Sequence, residues 1–110
     1  LKMANDFKNA QAVGVTSVTT IYTAPAAKTS ILLELDIANT AQNVVEASVE
    51  IFDTSASTDA FLVKNAPVPA GGTLQVVAGQ KVILEATDIV KVTATGAVDV
   101  VAAILEDVNS

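Results

Sequence analysis

The sequence predicts an all-β fold, a single β-sandwich of about eight short antiparallel strands with jelly-roll or immunoglobulin-like winding. Three observations carry that prediction. Val, Ile and Thr recur in alternation with polar residues, the period of a strand with one buried face. Clusters of Pro, Gly, Asn, Asp and Ser interrupt the alternation at the spacing expected of short strands in a sandwich. The chain of 110 residues is 51% hydrophobic but has only three Phe, one Tyr and no Trp, so its core is built from Val, Ala, Ile and Leu. That length suits one domain.

Residues 1–14 are polar, lack alternation and end at Gly14; they read as an N-terminal arm that frays or docks on a neighbour, ahead of a sandwich domain over residues 15–110. Within the arm, Met3-Ala4-Asn5-Asp6 reads as a start with two residues before it, and no apolar leader segment is visible. Residues 15–22 alternate as a strand, closed by the Ala24-Pro25-Ala26 break, since proline cannot donate to a central ladder. Residues 31–38 follow, with Leu33, Leu35 and Ile37 expected on one face and Leu32, Glu34 and Asp36 on the other. Val45, Ala47, Val49 and Ile51 alternate with Glu46, Ser48 and Glu50 in the clearest strand.

Residues 60–64 form a further short strand, and residues 66–72 an extended turn. Residues 73–78 and 81–85 read as a hairpin about Gly79-Gln80. Residues 89–95 and 98–105 are the last two strands, separated by Gly96. Val98, Val101, Ala102 and Leu105 also satisfy helical spacing, but the Val-rich start favours a strand. As a strand it is apolar on both faces, with Val98, Val100, Ala102 and Ile104 on one and Val101, Ala103 and Leu105 on the other. Such a strand is central in a sandwich or is covered by another subunit. Phe7, Val101, Ala103 and Leu105 are therefore the candidate oligomer or docking interface.

Chemistry is scarce. The chain has no His and no Cys, which removes the commonest general base, the thiol nucleophile, disulfides and most transition-metal sites. Twelve acidic against six basic residues give a net charge of −6, so no basic patch for a phosphate backbone is expected. No apolar run approaches the ~20 residues of a membrane helix. Glu34, Asp36, Glu46 and Glu50 occupy outward positions of alternating strands and read as a solvated face. Residues 53–59 bring Asp53 and Asp59 together with hydroxyls that could offer oxygens to Ca²⁺, but the glycine and closing Glu of an EF-hand loop are missing and turn formation is the stronger reading. Phe52 and Phe61 flank that loop as anchors or as exposed knobs. The expectation is a protein without catalytic residues, metal, cofactor, nucleic-acid partner, membrane partner or small-molecule substrate.

Read in order, Thr20-Ile21-Tyr22-Thr23-Ala24-Pro25-Ala26, Ala38-Asn39-Thr40, the stretch from Phe61 through Lys64-Asn65-Ala66-Pro67 to Gly71-Gly72, and Lys81-Val82-Ile83-Leu84-Glu85-Ala86 with Ile89-Val90-Lys91-Val92-Thr93 resemble a group of small β-rich virion structural proteins of tailed bacteriophages, of the marine and cyanobacterial phage type. The resemblance runs over most of residues 15–106. It implies a non-enzymatic subunit present in many copies on a head, neck, tail or fibre, located in the virion and partnered by itself and by other virion proteins. Tyr22 and Lys64-Asn65-Ala66-Pro67 match the pattern and read as fold determinants. At Ala86-Thr87-Asp88 the pattern would have a glycine, so Thr87 or Asp88 must make the turn. A carbohydrate- or receptor-binding sandwich is the alternative, disfavoured by the scarcity of Tyr and Trp; a two-carboxylate hydrolase comes last.

Overall fold

The alternation is realised as eight strands in a computed structural model that describes residues 6–107. They are β1 (Asp6–Val15), β2 (Thr19–Thr23), β3 (Ser30–Asn39), β4 (Val45–Asp53), β5 (Thr58–Val68), β6 (Thr73–Leu84), β7 (Ile89–Ala94) and β8 (Val98–Glu106). Two four-stranded sheets result, sheet A in the order β1-β8-β3-β6 and sheet B in the order β2-β7-β4-β5. All neighbours are antiparallel. The winding is that of a folded ribbon: β1 pairs with β8, β2 with β7, β3 with β6 and β4 with β5, and successive pairs fall alternately in sheet A and sheet B.

The inner faces of the two sheets meet in an aliphatic core. Sheet A contributes Leu32, Leu35, Ile37, Val77, Leu84, Val98, Val100, Ala102 and Ile104, and sheet B contributes Val45, Ala47, Val49, Val68, Val90 and Val92, all essentially inaccessible to solvent. No aromatic side chain is fully buried among the described residues. Compact branched side chains suit a thin gap between sheets, where each buried Val or Leu is worth ~1.5–3 kcal/mol against exposure.

Four details of the sequence reading are corrected. Of the expected arm, residues 1–5 lie outside the described residues, while the rest is strand β1, paired along its length with β8. An edge strand needs little apolar material: ahead of Val15 at its end, which is buried, only Ala10 and Ala12 pack against the core margin, so its alternation is faint. The run 15–22 is divided, Val15 ending β1 in sheet A and β2 starting at Thr19 in sheet B. In β3 the period of two breaks at Leu33, which has no partner on β8: Leu32 pairs with Ile104 and Glu34 with Ala103. The bulge puts Leu32 in the core and carries Leu33 outside it. Finally, Gly79-Gln80 is not a hairpin turn. Residues 73–84 are one strand, and Leu32 and Glu34 of β3 face Val82 and Ala78, so residues 79–81 bulge out. Gly79 and Lys81 both adopt positive φ there (105° and 55°), and the Gln80 side chain accepts from the Ala78 amide and donates to the Val76 carbonyl.

Candidate interaction surface

β8 lies between β1 and β3, so its two apolar faces have separate roles. Val98, Val100, Ala102 and Ile104 fill the core, whereas Val101, Ala103 and Leu105 lie on the outer face of sheet A. Directly opposed residues of antiparallel strands share a face, with Cβ atoms ~4.5–5.5 Å apart. Leu105 is opposed by Phe7 on β1 and by Ile31 on β3, and Ile31 in turn by Ile83 on β6. One unbroken apolar row, Phe7–Leu105–Ile31–Ile83, therefore crosses all four strands. Its ends are strongly exposed, Phe7 at 72% and Ile83 at 58%, while Leu105 and Ile31 are partly covered by their neighbours.

All four sequence-nominated residues stand on this face. Ala103 is opposed by Asn9, and Val101 by Gln11 and Asp36. Ile31, Leu33 and Ile83 were not nominated: Ile83 sits in a segment assigned to a hairpin, and Leu33 reaches the outside only through a bulge that no local sequence signal announces.

Away from the apolar row the face becomes polar, through Gln11, Asp36 and Gln75. Asp36 Oδ1 is buried with no donor against it, and burial and the adjacent Glu34 carboxyl raise its carboxyl to about 6.

A polar staple fixes β1 and β8 at the apolar end. The Tyr22 hydroxyl, from β2 of sheet B, donates to Glu106 Oε2 of sheet A and shares a 3.1 Å hydrogen bond with Ser30 Oγ. Lys8 Nζ lies 3.1 Å from Glu106 Oε1. Burial alone would push the Glu106 carboxyl up, but the Tyr22 and Lys8 hydrogen bonds and the charges of Lys8 and Lys28 outweigh it and hold the group below the usual carboxylate range. Burial and the Glu106 carboxylate push the Tyr22 hydroxyl far above its ordinary value, so it is a permanent donor.

A second feature is an open cleft of about 530 Å³ beside Ile83, lined also by Asp53, Glu85 and Asp88, whose carboxylates offer oxygens within 4.8 Å of one another. The bonds formed there are those of turns. Asp53 Oδ1 accepts from Ser55 Oγ (2.7 Å) and from the Ser55 and Ala56 amides, and the Ser55 hydrogen bond leads in lowering its pKa. Asp88 accepts from the Glu85 and Thr54 amides, while Thr87 takes the positive φ (67°) that replaces a glycine. Asp59, the other carboxylate of the loop, lies 3.7 Å from Lys91. Phe61 is 45% exposed with the Lys64 ammonium 5.1 Å from its ring centre; Phe52 carries Lys91 in the same way at 4.9 Å.

No protein-family model matches the chain, and no curated protein matches it in sequence. Among solved structures, two crystal structures of a pentameric capsid protein isolated from metagenomic phage sequences are similar over 91% of this chain, each at 22% identity and a TM-score of 0.48. The chain spans 63% of the length of one and 62% of the other.

Proposed function

We propose that the chain is a non-enzymatic structural subunit of a tailed-phage virion, docked in many copies as a capsid decoration, neck or tail-fibre accessory through the outer face of sheet A. The observation that carries the reading is the row Phe7–Leu105–Ile31–Ile83, an apolar stripe across a whole sheet face. Such stripes mark interaction sites when they stay uncovered. The ribbon winding supports it: we read four strands in each sheet, each pair crossing to the opposite sheet from the last, as jelly-roll rather than immunoglobulin order, and jelly rolls are common among viral capsid domains. The absence of His and Cys and the commitment of Asp53 and Asp88 to turns fit a role without chemistry.

The test is incorporation. Purified particles of a phage encoding the chain should contain it in multiple copies by quantitative mass spectrometry. A Leu105→Asp variant, which places a charge at the centre of the stripe, should keep its β-sheet circular dichroism and lose incorporation at least tenfold. Absence of the wild-type chain from mature particles, or undiminished incorporation of the folded variant, would overturn the reading.

A further inference from the structure

Each sheet has two edges, and three of the four carry a device that prevents strand addition. β2 is only five residues long and its register breaks between Thr20 and Tyr22. β5 slips register twice, turns Asn65 to positive φ and contains Pro67. β6 bulges at residues 79–81 and carries Lys81 there. β1 has its own break, between Ala12 and Val15 with Gly14 at positive φ (67°), but it lies at the end of the strand, and from Asp6 to Ala12 the register with β8 is continuous, with no proline and no positive φ. Its one lysine, Lys8, is opposed by the inward-facing Ile104 and is neutralised by Glu106 at 3.1 Å and Asp6 at 3.9 Å.

We infer that the open edge of β1 pairs antiparallel with β1 of a second copy, joining two sheets A into one continuous sheet with Ala10 opposite Ala10. The inference rests on the reading of the chain as a self-assembling subunit. The occupant is identified by self-complementarity. Phe7 and Val13, at 72% and 80% exposure, are the two most exposed large apolar side chains among the described residues. They lie six residues apart on β1, with Asn9 and Gln11 between them, Phe7 in its regular stretch and Val13 at the start of its break.

Centring the two-fold on Ala10 sets Phe7 against Val13 of the second copy and Asn9 against its Gln11. Lys8 meets Ala12 and Asp6 meets Gly14, so no like charges are opposed. A slip of two residues either way sets Phe7 or Val13 against a polar side chain. The second copy's Val13 also extends the row Phe7–Leu105–Ile31–Ile83 by one strand.

Cysteine crosslinking tests the pairing, because the chain has no cysteine of its own. At the centre of the proposed register, Cα atoms stand ~4.5–5.5 Å apart, within disulfide reach. Ala10→Cys should give mostly disulfide-linked dimer on mild oxidation of the full chain. Lys8→Cys and Ala12→Cys alone, with like positions ~13 Å apart along the strands, should not, but should crosslink to each other when mixed. A monomeric Ala10→Cys protein, or equal crosslinking of all three variants, would overturn the inference. Independently, Phe7→Lys/Val13→Lys should weaken self-association at least tenfold by sedimentation; unchanged association would also overturn it. If Ala10→Cys fails to crosslink while particles contain the chain, only the β1 pairing falls. If it crosslinks and particles lack the chain, the virion reading falls and the pairing stands.

Discussion

Tyr22 bonds across the gap between the sheets, from β2 to Glu106 of β8 and Ser30 of β3. Tyr22→Phe leaves the Glu106 carboxylate, 8% exposed, with Lys8 as its remaining partner, and should cost ~1–3 kcal/mol in urea unfolding at pH 7. Glu106 is held below the usual range. The stability it lends is therefore complete at neutral pH and is lost as pH falls through its folded pKa, so the variant's deficit should shrink in acid. Asp36 has the opposite sign. With its carboxyl raised to about 6, the folded state carries no penalty below the ordinary aspartate range and acquires one as pH rises through 6. Asp36→Asn should stabilise by ~1 kcal/mol at pH 7, a gain that disappears near pH 4; a constant gain across that range would show that charge is not the cause. Neither group's role was legible locally. Tyr22 and Glu106 are 84 residues apart, and the sequence marks Asp36 only as an outward residue of an alternating strand.

At the scale of elements, β4, β7 and β8 read clearly because each is flanked by neighbours, β7 and β8 with buried residues at alternate positions throughout and β4 with them at Val45, Ala47 and Val49. β1 was hidden because, ahead of Val15 at its end, this edge strand packs only Ala10 and Ala12 against the core margin. β6 looked like two strands because its bulge uses Gly79, the residue a hairpin would also use. Gly96, read as a turn between β7 and β8, has a further constraint. A Cβ there would come 2.5 Å from Val45 Cγ1, and Val45 is buried, β-branched and stiff at χ1. Gly96→Ala should therefore cost ~1–3 kcal/mol by overpacking, read as a lower urea midpoint with unchanged slope. Gly14→Ala meets no atom within 4 Å, and its cost should come from its positive φ alone.

Across the whole molecule, the expected number of strands agrees with the structure although two segments do not correspond: the missed β1 offsets the division of β6. Fold class was legible because it depends on the period of many residues, which tolerates such exchanges. The stripe was legible on β8, where one strand is apolar on both faces. It was illegible on β3 and β6, because their bulges decide which residues face out. The same molecule, with a net charge of −6, repels its own copies at long range, so association through the stripe or the β1 edge should strengthen as salt rises to ~0.5 M. Apolar burial survives screening and the repulsion does not.

If the proposed role holds, the outer face of sheet A is covered in the assembled particle. Electron cryo-microscopy of the particle at side-chain resolution tests it most directly. Leu105, Ile31 and Ile83 should be buried against a neighbouring protein while the outer face of sheet B remains in solvent. A map in which sheet A faces solvent and the chain is held by sheet B or by its loops would contradict it.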